Sequence, residues 1–230
     1  MSQRTAIITG AGGALASHLI ETFQHAGWKL ALAAYDDSEA ERLHQHHPDS
    51  LVVKADLADA SSAHSAMEQA SAALGQVDCL LNIAGGFGMS SAVNTSPDEL
   101  ENQLSINFRS AFNATRAVLP GMLERGRGFI LGVGAAAAID GGAGMGAYAA
   151  SKAALITWLK SLRQEVAGKG VDVAIVYPMA AIDTPGNRKA MPGVDPDTWI
   201  DPDELAATIM HLATRSPRGR ILESRVYPPA

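Results

Sequence analysis

The sequence predicts an α/β protein with one doubly wound domain, in which helices cover both faces of a mostly parallel sheet of about seven strands. Two observations predict this fold class. Short aliphatic runs recur along all 230 residues, and they are apolar throughout rather than alternating, as expected for strands buried on both faces. Segments with helical periodicity separate these runs, and such alternation is typical of parallel sheets built from crossover units.

Each predicted strand is one of the short apolar runs. The runs are residues 6–9, 30–33, 51–54, 79–83, 129–133, 171–176 and, more weakly, 220–222. Helices are clearest where apolar residues recur at spacings of three and four, over residues 15–23 and 155–166. A last helix is expected over residues 203–213.

A single domain is expected over residues 1–230, because one hydrophobic core can grow to about 250 residues before chains split. The exception to regular structure is the segment 179–200, where prolines and glycines interrupt any periodicity. Long loops in compact domains are usually functional or disordered. We therefore expect this segment to be a substrate lid.

Composition excludes several classes of partner. The chain is 47% hydrophobic and 18% charged, so intrinsic disorder is not the dominant state. A net charge of −6 gives no attraction to phosphate backbones, which argues against nucleic acid and anionic membranes as partners. No apolar run approaches the length that a membrane helix needs. With Cys79 as the one cysteine, a reducing, cytoplasmic location is expected.

No metal site is expected either. His44, His46 and His47 lie close together before Pro48, but this stretch is more simply interpreted as the solvated end of the second helix.

A glycine-rich turn follows the first predicted strand, over residues 9–16, and leads into a helix. Glycine at such a turn lets the backbone approach a pyrophosphate, which the N–H groups and positive dipole of the helix N-terminus can hold. Taken alone, the pattern is weak evidence, because an ordinary strand-to-helix turn can also produce it.

Five elements together resemble the short-chain dehydrogenase/reductase family. They are Thr9-Gly10, Asp56-Leu57, Asn82-Ile83-Ala84-Gly85, Asn107 and Tyr148-x-x-x-Lys152, in the order and at the spacings of that family. The resemblance covers essentially the whole chain. It implies a Rossmann-type fold, an NAD(P)(H)-dependent oxidoreductase with a small-molecule substrate, and a homodimer or homotetramer.

The same resemblance implies site residues. Its catalytic residues are Tyr148, Lys152 and Asn107, the last supporting a water that relays protons. Its cofactor-binding residues are Gly10, Gly13, Leu15, Asp56, Leu57, Asn82, Ala84, Gly85, Tyr148, Lys152, Pro178 and Thr184.

Tyr148 and Lys152 also predict chemistry by their spacing, since residues four apart share one face of a helix. A nearby ammonium is expected to lower the tyrosine pKa from about 10 toward working pH. Tyr148 would then serve as a general acid or base.

The choice between cofactors depends on the end of the second strand, where an acid can bind the ribose hydroxyls of NAD or an arginine the phosphate of NADP. This chain has Ala34, Tyr35, Asp36 and Asp37 there, with no cation in the turn. Two carboxylates would repel a 2′-phosphate, which favours NAD(H) over NADP(H) while leaving both open.

Three alanines depart from the family pattern. Ala14 and Ala16 stand where the family commonly has glycine, and Ala135 stands thirteen residues before Tyr148, where the family has its catalytic serine. Losing one hydroxyl donor to a developing oxyanion costs about 100- to 1,000-fold in rate. Either the substrate does not need that donor, or the protein has stopped catalysing.

A narrower resemblance favours the first explanation. Gly85-Gly86-Phe87, Asp140-Gly141, Gly144-Met145 and residues 183–192 resemble the quinonoid dihydropteridine reductase branch, which also carries alanine at the serine position. This implies hydride transfer to a quinonoid dihydropteridine. The candidate substrate residues are Phe87, Ala135, Met145, Asn187, Arg188 and Trp199. The alternatives are another C=N, C=C or carbonyl substrate, or a catalytically silent NAD(P)-sensing or scaffold protein.

Overall fold

One sheet of seven parallel strands, in the order β3-β2-β1-β4-β5-β6-β7, organises the computed structural model, which describes residues 3–230. The strands are β1 (Thr5–Thr9), β2 (Lys29–Ala34), β3 (Leu51–Lys54), β4 (Cys79–Asn82), β5 (Gly128–Val133), β6 (Val171–Pro178) and β7 (Glu223–Val226). This arrangement confirms the predicted fold class.

Helices connect the strands. They are α1 (Ala14–His25), α2 (Asp37–His46), α3 (Ala60–Leu74), α4 (Pro97–Leu104), α5 (Ser110–Arg125), α6 (Ala137–Asp140), α7 (Gly146–Glu165), α8 (Pro185–Ala190) and α9 (Pro202–Thr214). A π-helical turn, Ser105–Arg109, joins α4 to α5, and a short 3₁₀ turn, Pro196–Thr198, precedes α9. Within residues 3–230, no helix has the combined length and apolarity needed to cross a membrane.

Two apolar cores lie on opposite faces of the sheet. Side chains alternate along a strand, so Ile7 of β1 faces one core while Ala6 and Ile8 face the other. Helices α3, α5 and α7 complete the first core, and α1, α2 and α9 complete the second. Because both faces are covered, the strands are uninterrupted aliphatic runs in the sequence.

The starts of the helices differ in a way that matters for the site. Asp36, Asp59 and Ser96 cap α2, α3 and α4 by accepting hydrogen bonds from first-turn N–H groups. Helix α1 instead follows Gly13, which provides no side-chain cap. The first N–H groups of α1 therefore remain available at the carboxyl end of β1, where a helix N-terminus favours an anion.

The last strand differs from its prediction. The weak apolar run at residues 220–222 is not the strand, which spans Glu223–Val226. β7 pairs with β6 alone, at the edge of the sheet, and its side chains are exposed or only partly buried. An edge strand need not be apolar on both faces, so an apolar run was the wrong signal for β7.

The segment predicted as a lid has internal structure. It contains α8 and the 3₁₀ turn, and its two ends pair with each other through Ile182 and Ile200. Ile200 N–H donates to the Ala181 carbonyl (2.9 Å), and Asp183 N–H donates to the Ile200 carbonyl (2.8 Å). The prolines and glycines that removed periodicity therefore belong to a loop whose base is held by backbone hydrogen bonds.

Leu159 tests the packing of α7 on the sheet. It is fully buried, and a Cβ added to Gly132 of β5 would lie 2.4 Å from its Cδ1. Because truncation leaves a cavity at this contact, Leu159→Ala is expected to lower the free energy of unfolding by about 2–5 kcal/mol, measured by urea denaturation. The control is Thr157→Ala, which is exposed on the same helix. Equal effects of the two substitutions would contradict this packing.

Candidate active site

A deep crevice opens where the strand order reverses, between β1 and β4, at the carboxyl ends of the strands. Open α/β sheets bind ligands at this switch point. The cavity has a volume of about 1220 Å³. The predicted site residues that line it are Gly10, Gly13, Leu15, Asp56, Leu57, Ala84, Gly85, Phe87, Ala135, Met145, Tyr148, Lys152, Pro178, Thr184 and Asn187.

The glycine-rich turn is held tightly against the end of β4. Gly10 has φ +61°, and a Cβ added there would lie 2.6 Å from Ala84 Cα. Thr9 Oγ1 accepts hydrogen bonds from the backbone N–H groups of Ile83 (3.0 Å) and Ala84 (3.1 Å). The close approach and the positive φ both require glycine at position 10.

The two alanines at the start of α1 fit this turn without displacing it from the cavity. Ala14 and Ala16 both contribute to the cavity wall, and Ala16 is fully buried in the second core. The departure from glycine at these positions therefore leaves the backbone-lined wall in place.

Lys152 is buried beneath the centre of the crevice. Its Nζ donates to the Val133 carbonyl at the end of β5 (3.0 Å). Burial lowers the pKa of Lys152 to about 8, because the charged form loses its hydration. Its ammonium is held by a backbone acceptor, close to the Gly85 backbone, where an added Cβ would lie 3.3 Å from Nζ.

Tyr148 stands beside Phe87, with the two rings edge to face and their centroids 5.0 Å apart. Burial raises the pKa of the Tyr148 phenol. The expectation that the Lys152 ammonium lowers this pKa is therefore wrong for the protein alone, since burial dominates and Nζ is directed to Val133. The phenol stays protonated at neutral pH and can donate a proton.

Asn107 lies behind the cavity wall rather than in it. It is fully buried in the π-helical turn, where Oδ1 accepts from Gly86 N–H (3.0 Å) and Nδ2 faces the Gly86 carbonyl (2.9 Å). The side chain therefore holds both backbone groups of Gly86, next to Gly85. Its contacts place it as a support for the loop after β4.

Besides Asn107, three predicted site residues do not line the cavity. Asn82 is buried at the end of β4, where its Nδ2 donates to Thr115 Oγ1 (3.1 Å). Trp199 is 6% exposed and packs inside the protein, so it cannot stack on a ligand. Arg188 forms two hydrogen bonds of 2.6 Å with Asp183, and this pairing lowers the pKa of Asp183.

Sequence reasoning missed Glu39, which reaches the nucleotide end of the cavity from α2. Its Oε2 accepts from Tyr35 N–H, and a Cβ added to Gly12 would overlap its carboxylate. The signal was its place three residues after Asp36, the helix cap, where a glutamate commonly returns to the preceding backbone.

Two cations also lie near this end, although the turn itself has none. Arg42 Nη2 donates to the Gly12 carbonyl (3.3 Å), and Lys54 pairs with Asp37 (2.7 Å). They come from α2 and β3, which is why inspection of the turn alone overlooked them.

The opposite end of the cavity is largely apolar. Its wall includes four methionines, which are Met89, Met145, Met179 and Met191. Methionine adapts to irregular ligand surfaces and contacts aromatic rings favourably. Asp140 supplies a carboxylate at this end, and no residue in the described part of the chain forms an ion pair with it. Ala135 presents a methyl group where the family pattern has a hydroxyl.

The lowered pKa of Lys152 gives a prediction for stability. The folded-state pKa lies below the unfolded value, so the cost of protonation is present below about pH 8 and disappears as pH rises toward 10.5. Lys152→Met is therefore expected to be more stable than the wild type at pH 7 by about 2 kcal/mol, after the lost hydrogen bond is subtracted. Urea denaturation at pH 7 and 10 measures this.

The difference in the free energy of unfolding between Lys152→Met and the wild type should be smaller at pH 10 than at pH 7. Lys169→Met, on an exposed turn, controls for loss of a lysine charge. A Lys152→Met variant that is less stable than the wild type at pH 7 would contradict a lysine destabilised by burial.

Comparison with known proteins points to one family. Residues 4–194 match the family model described as short chain dehydrogenase. The chain is 33% identical over 182 residues to inactive 2-(S)-hydroxypropyl-CoM dehydrogenase 2 of Xanthobacter autotrophicus, and the aligned region covers 79% of each chain. It is 30% identical over 182 residues to glycine betaine reductase ATRR of Emericella nidulans, covering 77% of this chain but spanning only 14% of that protein.

A solved structure agrees with these relatives. The 3-ketoacyl-(acyl-carrier-protein) reductase of Brucella melitensis, in complex with NADH, superimposes with a TM-score of 0.83 at 26% identity, covering 97% of this chain and 96% of the other. With the family match over most of the chain and the crevice described above, the chain belongs to the short-chain dehydrogenase/reductase family of NAD(P)-dependent oxidoreductases.

Proposed function

We propose that this protein reduces an activated acceptor with NADH, and that quinonoid dihydropteridine is its best single substrate candidate. The observation that carries the proposal is Ala135, a methyl group in the cavity wall where a hydroxyl would polarise a carbonyl. A strained, electron-poor conjugated imine needs less of that polarisation than a ketone does. The loss of one donor is then compatible with turnover.

The residues present fit a dinucleotide. A backbone-lined wall at Gly10 and Gly13 adjoins the uncapped start of α1, which suits a pyrophosphate. Asp56 and Leu57 line the next part of the cavity, and Lys152 lies at its centre. The bound dinucleotide supplies the hydride, and these residues would hold it.

Glu39 supports a preference for NAD(H). Its carboxylate lies at the nucleotide end of the cavity, between Gly12 and Tyr35, where a 2′-phosphate would bring further negative charge. Arg42 is the nearby cation on the same helix, and its contact with the Gly12 carbonyl commits one of its N–H groups to the backbone. The Glu39 carboxylate therefore supports NAD(H) over NADP(H) in this proposal.

Tyr148 supplies the proton in this proposal. Reduction of the quinonoid ring adds a hydride and a proton, restores the ring C=C bond and leaves both hydrogens on nitrogen, so a protonated donor is needed beside the acceptor. Burial favours the neutral phenol, which suits donation in the reductive direction. Phe87 holds the ring from one side through their edge-to-face contact.

Polar groups around the apolar end suit a pterin. A pterin ring carries an amino group beside a ring N–H, and a carboxylate accepts from such a pair of donors. Asp140 offers that carboxylate, among the methionines that would cover the ring. Asn187 lines the same region, where its Nδ2 donates to the Ile182 carbonyl (2.8 Å) and leaves a second N–H for the ligand.

A second candidate is an NAD(P)-binding protein without turnover. The same Ala135 favours it, and one relative carries the word inactive in its name. The retained Tyr148 and Lys152 argue against it, because a sensor has no use for a proton donor. A different C=N, C=C or carbonyl substrate is the remaining alternative within the enzyme class.

Dinucleotide binding is tested at Gly10. Gly10→Ala is expected to weaken NADH binding at least tenfold in calorimetry, because the methyl would collide with Ala84 and a positive φ costs about 1–2 kcal/mol for any side chain. Gly27→Ala is the matched control. Gly27 has φ +78° but nothing within 4 Å of an added Cβ, so it carries the same backbone strain away from the cavity.

Gly10→Ala should lose more stability than Gly27→Ala, because its methyl also collides with the Ala84 backbone, and only Gly10→Ala should lose affinity. NADH should bind more tightly than NADPH to the wild type. Unchanged NADH affinity in Gly10→Ala would place the dinucleotide elsewhere.

Turnover is tested with chemically generated quinonoid dihydropterin and NADH. The wild type is expected to oxidise NADH well above the nonenzymatic background, and Tyr148→Phe to lower kcat by about 100- to 10,000-fold through loss of the proton donor. No wild-type rate with either cofactor would remove this substrate. Binding without turnover on a panel of activated acceptors would favour the silent alternative.

Ala135→Ser is the matched comparison for that assay, since it restores the hydroxyl in the same wall. Gain of ketone reduction in Ala135→Ser, without gain on the pterin, is the result expected from a substrate that does not need the donor.

A further inference from the structure

A chain of buried polar side chains lies behind the cavity, and two of its members, Gln103 and Ser151, were not part of any predicted site. Gln103 is the last buried residue of α4, and its Oε1 accepts from Asn107 Nδ2 (3.0 Å). Ser151 Oγ lies 3.1 Å from Asn107 Nδ2, whose two N–H groups are shared among three acceptors, and Ser151 Oγ donates to the Tyr148 carbonyl (2.8 Å). The chain therefore links α4, the π-helical turn and the helix that carries Tyr148.

The partners of Asn107 allow only one orientation of its amide. The oxygen must face the Gly86 N–H, and the NH₂ group must face the Gly86 carbonyl and Gln103 Oε1. A reversed amide would set donor against donor at Gly86 N–H and acceptor against acceptor at the Gly86 carbonyl, and Gln103 would have to reverse its own amide to keep a partner. Each such mismatch leaves a buried polar group unpaired, which costs about 1–3 kcal/mol.

The loop that Asn107 holds has no free space. A Cβ added to Gly85 would lie 2.7 Å from Asn107 Oδ1, and one added to Gly86 would lie 2.6 Å from Ile106 Cδ1. Gly85 also packs beside Lys152 Nζ and lines the cavity. A change in the Asn107 amide would therefore move the cavity wall relative to Lys152.

A glutamine is unexpected at position 103 on packing grounds alone. It is 7% exposed, and an apolar side chain of the same size would bury its surface without losing water contacts. A buried amide is compensated only when its polar atoms are used, and the bond to Asn107 is the side-chain contact that uses it.

We infer that Gln103 is a positioning residue: by accepting from Asn107 Nδ2 it anchors the amide that Gly86 orients, and so holds the Gly85–Gly86 loop in place against the helix that bears Tyr148 and Lys152. The inference rests on the proposed redox function for its effect on turnover. The structural part of it concerns the apoprotein and the dinucleotide alone.

Three variants test the hydrogen-bond acceptor that Gln103 provides. Gln103→Leu removes it at similar volume, Gln103→Glu retains an acceptor oxygen in either protonation state, and Asn102→Leu is a control on an exposed position of the same helix. The first readout is hydrogen exchange of the Gly86 amide by NMR in the apoprotein. The second is NADH affinity by calorimetry, and the third is the split between kcat and acceptor KM.

Gln103→Leu is expected to speed Gly86 exchange about tenfold, to weaken NADH binding about three- to tenfold, and to lower kcat about tenfold with acceptor KM within about twofold. Gln103→Glu should stay within about threefold of the wild type in all three. If Gln103→Leu does not fold, the unbranched Gln103→Met serves in its place.

The inference would be overturned if Gln103→Leu kept the Gly86 exchange rate and the NADH affinity of the wild type. It would also be overturned if Gln103→Glu were as impaired as Gln103→Leu, since the defect would then come from packing. If the wild type binds NADH and reduces no acceptor, the proposed function fails, whereas the exchange and affinity measurements still decide the role of Gln103.

Discussion

The contact between the first turn and the end of β4 is the constraint on which the site depends. Gly10 approaches the Ala84 backbone so closely that no side chain fits, and Thr9 Oγ1 receives the N–H groups of Ile83 and Ala84. These bonds satisfy backbone groups that the sheet leaves unpaired where the strand order reverses. The same contact opens the crevice between β1 and β4 and sets the width of its floor.

The rest of the site continues this use of small residues at points of close approach. Gly85 and Gly86 occupy positions where a single added carbon would collide with Asn107 or Ile106. Polar side chains then fix the loops that the small residues allow to approach. A backbone-lined wall held by buried amides is well suited to a large, polar cofactor, because it offers N–H groups at fixed positions with little entropy left to lose.

At the catalytic end of the cavity, desolvation determines the pKa values of the two main polar groups. Lys152 is buried and donates to a backbone carbonyl, and burial keeps the Tyr148 phenol protonated. The surrounding methionines and Phe87 give this end an apolar, adaptable lining, in which Phe87 and Met89 are exposed in the protein alone. With Ala135 in the wall, selectivity for the acceptor depends on its own electron deficiency and on polar anchors such as Asp140.

The sequence by itself determined the fold class, since strands buried on both faces must be apolar throughout and six of the seven were found as such runs. Most of the predicted site residues line the cavity, because the motifs lie at strand ends and parallel strands end at one edge of the sheet. The predicted Asn82, Asn107, Arg188 and Trp199 do not line it, and Glu39 and Gln103 were missed. Only the tertiary structure decided these, because side-chain direction and partners from distant elements, rather than position in the chain, determine which residues reach the cavity.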